Sequence, residues 1–485
     1  MTILPHRPAR IAAAGALALA ITALIALVLW SIFSAATDQA SGAGRVDIPH
    51  LLRMTSIQAG LTTVLSLAVG MALARALNRL RFPGRDLVVG LFASAIVTPG
   101  MVVAFGLLSI WGRSGWINQA SNALFGVSIG NPAFGLSGIL FAHVILDGAF
   151  AARIMLARLD AIPQPRLKTG QSLALSARQR FSIIDWPALR GTLPGLGAII
   201  FLLAFTSFPI VLLLGGGPAN QTLEVAIYAA VRRDFDLRAA VLLALTQIGV
   251  CSLVILIASA LAPIPTSLGP STAPSWRDGM AARLLQAAVL ILCTIAFVLP
   301  LASVLIDGVL GGFGRLLSQP AFWWAALSSP VIGTSSALLT LVLALTLAMG
   351  RGATSNSPVR TILGMPAFAY LAVPAVVLSL GFFLLVRNLG VAPALAAPYV
   401  VILGNSLLAL PFAMATLGPP FEAIARTRGK LIRSLDLSGW RQFRPSNIPS
   451  WAKISASCWR WPSVSRWAIW ASLLSSARRI SRPCP

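Results

Sequence analysis

The sequence predicts an all-α integral membrane protein that crosses the bilayer about ten times. Of its 485 residues, 57% are hydrophobic and only 10% are charged, and the mean hydropathy is +0.84. A soluble chain of this length could not hide so much apolar surface from water. The hydrophobic residues also form runs of about 20 with few charges, which is the length that an α-helix needs to cross a bilayer. The solvent around most of this fold is therefore lipid.

Ten apolar segments are long enough to be membrane spans. Helices are predicted for all of them, because barrel strands would be shorter and would alternate apolar with polar residues. The first segment follows Arg7 and Arg10 as a signal peptide would, but its apolar run is too long and no small-residue cleavage site stands out, so a retained helix is predicted. The predicted spans are 11–34, 56–76, 87–110, 134–157, 193–217, 238–262, 281–309, 329–350, 364–387 and 394–418.

Arginine and lysine concentrate in alternate loops. They precede the first span, separate the second from the third and follow the fourth, and these loops share one side if the spans alternate. The positive-inside rule makes that side the cytoplasm, so a cytoplasmic amino terminus is predicted. The residues on which this orientation depends are Arg7, Arg10, Arg75, Arg79, Arg81, Arg85, Arg158, Arg166, Lys168, Arg178, Arg180 and Arg190.

The formal net charge of +24 does not indicate nucleic-acid binding. Basic stripes neutralise phosphates, but here the cations lie in short loops beside the spans, where topology and anionic lipid headgroups account for them. No nucleic-acid partner is therefore expected. The four cysteines, Cys251, Cys293, Cys458 and Cys484, have no metal-ligand spacing, so neither a metal site nor a disulfide framework is predicted.

Catalysis has little support in the sequence. The three histidines, His6, His50 and His143, are scattered, and no combination of nucleophile, base and orienting group is recognisable. The chain also has no GxxxxGK[ST] phosphate loop. Neither an enzymatic activity nor a cofactor is predicted, and any ATP hydrolysis would belong to a separate subunit.

The sequence contains an internal repeat. Residues 140–162 can be aligned with residues 402–424 without a gap, and the register continues into the loop that follows. With a modest shift, TPGMVVAFG around Pro99 aligns with VPAVVLSLG around Pro374. This ordered series of matches indicates two homologous halves in parallel orientation. The predicted boundaries are 1–262 for a first half with six spans, 263–280 for a linker and 281–444 for the second half.

Each half carries a basic, amphipathic loop after its fourth span, over about 158–192 and 421–444. In the first loop, Leu173, Leu175 and Phe181 are apolar positions among arginines and glutamines. Such a segment suits a short helix outside the bilayer, whose apolar side covers either a protein partner or lipid headgroups. This pattern alone favours neither.

The two loops resemble the cytoplasmic EAA loop of bacterial ATP-binding-cassette importers, in which Glu-Ala-Ala, Gly, Ile and Leu-Pro stand at fixed spacing. Alignment on Pro187 places Ile184 on the family Ile and Ala174 on the family Gly, while Lys168-Thr169-Gly170 replaces Glu-Ala-Ala. The tail of the pattern matches and its head departs from it. The positions that this resemblance assigns to the ATPase-coupling loops are Lys168, Thr169, Gly170, Ala174, Leu175, Ile184, Trp186, Pro187, Leu435, Asp436, Leu437 and Gly439.

A narrower resemblance covers most of residues 1–444. The region from Asp185 to Cys251 is similar to that of thiamine ABC transporter permeases, above all in LGGGP from Leu214, TLEVAIY from Thr222 and DFDLRAA from Asp234. The related iron(III) permeases share the duplicated layout but fit this stretch less well. The chain therefore resembles the thiamine and thiamine pyrophosphate permease family.

The resemblance implies a type I importer permease in the bacterial inner membrane that translocates thiamine, thiamine phosphates or both by alternating access. The implied partners are a dimer of cytoplasmic ATP-binding subunits, a periplasmic thiamine-binding protein and the lipid bilayer. Three alternatives stay open: a permease for iron(III) or another small solute, a truncated non-functional permease, and an ion-coupled secondary transporter. The last of these leaves the paired basic loops unexplained.

Asp147 is an ionisable residue within a predicted span, and such residues are functional candidates by default. His143 precedes it by one helical turn, so the two side chains can share a face and pair. A carboxylate suits a cationic thiazolium, and a hydrogen bond to a neighbouring helix is the alternative role. Both residues are candidates for the substrate pathway. Gly215–Gly217 is predicted to form a turn at the end of a span, and Thr246 and Gln247 to bond between helices.

The sequence from Pro445 onward departs from the rest. It is rich in Ser, Arg, Trp and Pro, contains no acidic residue or glycine, and has no apolar run long enough to cross a membrane. By the repeat, two more spans should follow the second loop, so the second half is predicted to lack its last two helices. A shifted reading frame after about Arg444 explains this, and a divergent cytoplasmic tail is the alternative. The first idea fails if neither alternative frame of the DNA encodes spans resembling residues 193–262.

Overall fold

The computed structural model describes residues 8–37, 46–234, 236–261, 278–354, 356–369, 373 and 375–434. All regular structure in these ranges is helical, and they contain no β-strand. The all-α class predicted from the sequence is confirmed. The tail over 445–485, most of the linker, and Leu435, Asp436, Leu437 and Gly439 of the second loop lie outside the described residues, so the interpretations of these segments stay predictions.

The described helices follow one another in two series. The first series is α1 (Pro8–Thr37), α2 (Ile48–Arg79), α3 (Arg85–Ala93), α4 (Gly100–Trp111), α5 (Trp116–Phe125), α6 (Leu136–Asp160), α7 (Gln164–Ser172), α8 (Ala177–Arg180), α9 (Trp186–Arg190), α10 (Leu193–Phe205), α11 (Pro209–Leu214), α12 (Leu223–Arg232) and α13 (Leu237–Leu261). The second is α14 (Met280–Leu310), α15 (Phe313–Leu317), α16 (Pro320–Ala353), α17 (Ser357–Ala369), α18 (Ala375–Asn388) and α19 (Pro393–Ser434). Short 3-10 turns occupy Ser94–Ile96 and Pro218–Asn220, and a π-helical turn occupies Phe181–Asp185.

Within the described residues, eight helical segments are long and apolar enough to cross a membrane. They are α1, α2, α4 with α5, α6, α13, α14, α16 and the first part of α19. A ninth would result if 177–190 and 193–205, which meet at a bend of 59°, formed one span. The structure therefore has the multi-pass helical form that the composition predicts, with fewer uninterrupted spans than the ten apolar segments.

Two predicted spans are interrupted where the sequence has a proline. The breaks precede α4 and α11, where the sequence has Pro99 and Pro209. Proline lacks an N–H group and clashes with the preceding turn, whereas its fixed φ suits the start of a new helix. The predicted spans over 87–110 and 193–217 are therefore helical, as expected, but each is divided into shorter helices.

Each half is built around a pair of packed helices. In the first half α2 packs along α6, and in the second α16 packs along α19. The first pair approaches closely at Gly70, where an added Cβ atom would lie 2.6 Å from the Cβ of Ala151. Small residues at helix crossings give this close backbone contact in membranes. This repeated pairing of helices is what two homologous halves would show.

The first helix of each half packs against the other half. α1 lies against α16, α17 and α18, and α14 lies against α2 and α4. The Ser31 hydroxyl on α1 donates to the carbonyl oxygen of Gly381 on α18 at 3.0 Å. The Ser303 hydroxyl on α14 donates to the carbonyl oxygen of Gly106 on α4 at 3.2 Å. Since Gly106 and Gly381 end the two aligned segments TPGMVVAFG and VPAVVLSLG, the same contact occurs twice at positions that the repeat makes equivalent.

The buried apolar residues form two clusters, which define two helical bodies. The α1 body contains α1, α12, α13 and α16–α19, and the α14 body contains α3, α4, α6, α9, α11 and α14. The helices α2 and α10 contribute to both bodies, since Ala59 and Phe205 belong to the α1 body and Leu73 and Leu196 to the α14 body. The boundary therefore runs along α2 and α10, which α12 and α13 contact.

Candidate functional site

The loop after α6 folds into the three short helices α7, α8 and α9. α6 ends at Asp160, Pro163 directly precedes α7 and Pro165 lies in its first turn, so the chain turns here instead of extending α6. Among the predicted coupling positions, Gly170 and Ile184 are buried, Leu175 and Pro187 are half-buried, and Lys168, Thr169, Ala174 and Trp186 are exposed.

Three large apolar side chains of this loop are exposed. Leu173, Ile183 and Trp186 have exposed fractions of 66%, 52% and 39%. Trp186 also contacts Phe181, with ring centroids 6.1 Å apart. Exposed apolar side chains outside the spans mark a surface that a partner or a headgroup layer covers.

Ala174 occupies a backbone conformation that favours glycine. Its φ is +49°, the only positive φ of a non-glycine residue in the described part of the chain. The N–H groups of Ala174 and Leu175 bond to the carbonyl oxygens of Gln171 at 3.0 Å and Gly170 at 3.3 Å, which is the Schellman pattern that ends a helix. The residue in left-handed conformation in this motif is usually glycine. The structure therefore gives a physical reason for the glycine that the EAA pattern has at this position.

A buried ion pair fixes the loop to α2. Asp185 is fully buried and accepts two hydrogen bonds from the Arg79 guanidinium, at 2.7 and 2.9 Å. Arg75 lies 3.9 Å from the same carboxylate and stacks over the Phe181 ring at 4.5 Å. Sequence reasoning named Ile184 and Trp186 but missed the residue between them. The available signal was that Asp185 is the only acidic residue from 161 to 223.

A second buried ion pair fixes the loop to the start of α14. Arg180 is 1% exposed and donates to Asp278 at 2.7 Å, and Gln286 donates to the other carboxylate oxygen at 2.8 Å. Burial opposes ionisation of Asp278, but the hydrogen bonds from Gln286 and Arg180 and the charges of Arg180 and Arg79 outweigh it, so the pKa of Asp278 lies below its ordinary value. Burial lowers the pKa of the Arg180 guanidinium. This pair joins the loop of the first half to the first helix of the second half.

The second loop does not repeat this shape where it is described. α19 continues as one helix from Pro393 to Ser434. The repeat aligns Pro163 and Pro165 with Ala425 and Thr427, so the prolines that end α6 have no counterpart in α19. The predicted loop over 421–444 therefore begins as a direct extension of a membrane helix.

His143 and Asp147 are brought together as the sequence predicts. The His143 Nδ1 lies 3.2 Å from Asp147 Oδ2 on α6, and both side chains are buried. The other imidazole nitrogen, Nε2, is buried and has no hydrogen-bond partner in the described part of the chain. The pair is thus a polar group among apolar helices with one ring nitrogen available.

A second buried polar group joins α12 to α13, and sequence reasoning missed its carboxyl member, Glu224. The Gln247 amide on α13 donates to Glu224 Oε1 on α12 at 3.2 Å, and both side chains are buried. The structure confirms the interhelical bond predicted for Gln247, whereas the Thr246 hydroxyl bonds to its own helix at Leu242. Glu224 could have been noticed as the only acidic residue between Asp185 and Asp234.

The predicted glycine turn lies in the short connection between α11 and α12. Gly216 and Gly217 have positive φ in the turn between α11 and α12, as predicted for Gly215–Gly217. No group of three His, Cys, Asp or Glu side chains gathers as a metal site within the described ranges.

Comparison with known proteins reveals extended similarity. No protein-family model matches the chain. The thiamine transport system permease protein ThiP of Brucella melitensis is 36% identical over 465 residues, which cover 93% of this chain and 85% of that protein. The ThiP protein of Salmonella typhimurium is 34% identical over 406 residues, covering 81% and 74%. The putative ferric transport system permease protein FbpB 1 of Haemophilus influenzae is 28% identical over 169 residues, which cover only 35% of this chain and 26% of that protein.

Proposed function

The chain belongs to the family of thiamine transport system permease proteins, and we propose that it imports thiamine, thiamine phosphates or both across the bacterial inner membrane, driven by ATP. It is a permease, and thus a transport subunit and not an enzyme. The observation that carries the choice of substrate is the similarity to ThiP proteins over 93% of the chain. Similarity to the ferric permease covers only 35% of this chain, so iron(III) is the weaker candidate substrate.

The loop over α7–α9 is the surface on which we expect a cytoplasmic ATP-binding subunit to dock. The exposed side chains of Leu173, Ile183 and Trp186 supply apolar contact area, and the loop is rigid because Asp185 and Arg180 tie it to membrane helices. A rigid apolar surface suits a protein partner better than a headgroup layer, which needs no fixed shape. The second ATP-binding subunit of a dimer would meet the second loop, including Leu435, Asp436, Leu437 and Gly439.

Movement of the docked subunits would reach the membrane through the two ion pairs. Arg79 links the loop to the C-terminal part of α2, and Asp278 links it to α14; both belong to the α14 body. The second loop extends α19, which belongs to the α1 body. Each ATP-binding subunit would therefore act on a different body, and closure of the dimer would rock one body against the other, which is alternating access.

His143 and Asp147 are proposed to lie on the substrate pathway. Their buried pair places a carboxylate and an unpaired imidazole nitrogen inside the α14 body. A cationic thiazolium favours a nearby carboxylate, and ionisable groups within membrane helices commonly mark such pathways.

The basic loops support an orientation with the amino terminus in the cytoplasm. The loop between α6 and α10 contains Arg166, Lys168, Arg178, Arg180 and Arg190, and in this orientation it faces the ATP-binding subunits. The opposite side faces the periplasm, where a thiamine-binding protein would deliver the substrate.

Uptake of labelled thiamine tests the proposal. Cells without their own thiamine permease would express this chain with a matching binding protein and ATP-binding subunit, and receive unlabelled thiamine pyrophosphate or ferric iron as competitor. We expect ATP-dependent uptake that thiamine compounds block and iron does not. Blocking by iron alone, or uptake without the ATP-binding subunit, would contradict the proposal in favour of an iron permease or an ion-coupled transporter.

A further inference from the structure

Four buried polar side chains belong to the three helices that join where α12 begins. They are Gln58 on α2, Thr222 and Glu224 at the start of α12, and Gln247 on α13, and each is at most 1% exposed. Their surroundings are apolar, since Leu223 and the helices α12 and α13 belong to the same hydrophobic cluster. A set of polar groups this deeply buried requires partners.

Two hydrogen bonds hold the junction together. The backbone N–H of Leu223 donates to the Thr55 hydroxyl on α2 at 3.0 Å, which fixes the first turn of α12 to that helix. The Gln247 amide donates to Glu224 Oε1 at 3.2 Å, which fixes the same turn to α13. Gln58 follows Thr55 by three residues and therefore lies on the same face of α2, one turn along the helix.

Four oxygen atoms at this junction remain without partners. Gln58 Oε1, Thr222 Oγ1, Glu224 Oε2 and Gln247 Oε1 are buried and make no hydrogen bond within the part of the chain that the structure describes. Each such atom costs about 1–3 kcal/mol when left unpaired. The two amide oxygens can only accept, and so can the Glu224 oxygen when the carboxyl group is ionised. A ligand with a positive charge and N–H donors would favour that ionised form and satisfy these acceptors.

The junction also lies near the boundary between the two helical bodies. α2 contributes Ala59, next to Gln58, to the α1 body and Leu73, further along the helix, to the α14 body. Transporters that rock two bodies against each other hold their substrate between them. A ligand bound here would contact α2, which belongs to both bodies.

We propose that this junction is a binding site for an organic cation with N–H donors on the transport path, with Glu224 facing the positive charge and Gln58, Thr222 and Gln247 accepting hydrogen bonds. The inference rests on the proposed function, because thiamine has a quaternary thiazolium and an aminopyrimidine, which match this acceptor set. The site is separate in sequence from the His143–Asp147 pair, since it is formed by α2, α12 and α13 and not by α6.

Two conservative variants of Glu224 separate binding from packing. Glu224→Gln keeps the size and the hydrogen bond with Gln247 but removes the charge, whereas Glu224→Asp keeps the charge but shortens the side chain. If Glu224 binds a cation, thiamine uptake falls about tenfold or more in Glu224→Gln, as expected for the loss of a charged interaction, and by less in Glu224→Asp. If Glu224 only packs and bonds to Gln247, the order is reversed.

Thr246→Val on α13 is the matched control, because this side chain is not buried and its hydroxyl bonds to its own helix. All variants are compared with the wild-type chain in proteoliposomes containing the same binding protein and ATP-binding subunits, at equal amounts of assembled complex. Absence of thiamine uptake in the wild type would contradict the proposed function. Uptake in the wild type and Thr246→Val, with Glu224→Gln unchanged or less affected than Glu224→Asp, would overturn only the inference.

Gln58→Met gives a second test that does not depend on charge. In the described structure the Gln58 oxygen is unpaired and the amide nitrogen makes only a long bond of 3.5 Å to the Thr62 hydroxyl on the same helix, so the replacement should weaken folding little. We expect the KM for thiamine to rise about fivefold, at equal complex stability, for the loss of one hydrogen bond of about 1 kcal/mol. An unchanged KM would contradict the site.

Discussion

Ser31 on α1 donates a hydrogen bond to the carbonyl oxygen of Gly381 on α18, 350 positions later in the chain, at 3.0 Å. Ser303 and Gly106 make the corresponding bond between α14 and α4. A Cβ atom at Gly381 would lie 2.8 Å from the Val28 carbonyl oxygen, and one at Gly106 would overlap the Pro300 backbone. The two predicted halves, 1–262 and 281–444, are therefore linked by α1 and α14, which pack against the other half at sites that have room only for glycine.

Replacing either glycine should destabilise the fold. For Gly381→Ala we expect a loss of about 1–3 kcal/mol, because the new methyl group forces α1 away from α18. Gly249→Ala on α13 is the control, since nothing lies within 4 Å of its added Cβ. The measurement is the fraction of protein that stays monodisperse in detergent after heating. If both variants keep the same monodisperse fraction after heating, the added methyl group at Gly381 does not lower the stability of the protein.

Removing the Asp185 carboxylate should release the coupling loop from α2. Asp185→Asn leaves Arg79 buried beside a neutral group, and breaking a buried pair in this way costs about 3–5 kcal/mol. We expect weaker co-purification with the ATP-binding subunit and loss of ATPase stimulation by the loaded binding protein. Asp86→Asn is the control, because the Asp86 carboxylate is fully exposed. Normal stimulation in Asp185→Asn would exclude this pair from coupling.

The Arg180–Asp278 pair should stabilise the protein at neutral pH and lose its effect in acid. The pKa of Asp278 in the folded protein lies below its ordinary value of 3.8, so the folded state favours the ionised form. The stabilisation is complete above the ordinary value and is lost as the pH falls through the lower, folded-state value. We expect Asp278→Asn to have a lower Tm than the wild type from pH 5 to 8, with a constant difference. A difference that grows or disappears within that range would refute this assignment.

The conformation of Ala174 predicts opposite effects for two substitutions. Ala174→Gly should be neutral or stabilising by up to about 1 kcal/mol, because glycine adopts positive φ without strain. Ala174→Val should weaken the loop by more than about 1 kcal/mol, since a β-branched side chain is strained there. Resistance of the loop to limited proteolysis measures both. Equal protection in the two variants would mean that the left-handed turn is not required.

The buried carboxylate of Asp147 should be needed for transport but not for assembly. Asp147→Asn keeps the shape and a hydrogen bond to His143 but removes the charge. We expect thiamine uptake to fall about tenfold, as for the loss of one charged contact, with normal co-purification of the ATP-binding subunit. Asp234→Asn, at an exposed position paired with Arg233, should transport normally. Full activity of Asp147→Asn would leave this residue a helix-bonding role only.

Proline shows why the sequence predicts the spans but not their breaks. Pro99 and Pro209 stand where helices are interrupted, yet Pro300 and Pro330 lie inside the continuous helices α14 and α16. Neighbouring helices satisfy the backbone groups that a proline frees in a membrane. Whether a proline breaks a span is therefore decided by packing, which a run of apolar residues does not encode.

The polar pairs also divide into one that the sequence predicts and others that it does not. His143 and Asp147 are one helical turn apart, so their contact follows from local geometry alone. Arg79 and Asp185 are 106 positions apart, and Arg180 and Asp278 are 98 apart. Such pairs depend on how distant helices assemble. The sequence offers only the isolated charge as a signal.

The packing of α1 against the other half has a consequence for biosynthesis. α1 emerges from the ribosome first, but its partner α18 follows some 350 residues later. At about 5–20 residues per second this interval lasts about 20–70 s. During this time the face of α1 around Ser31 must meet lipid, another helix or the insertion machinery. Completion of the second half, and not insertion of the first, is then the step that commits the newborn chain to its final form.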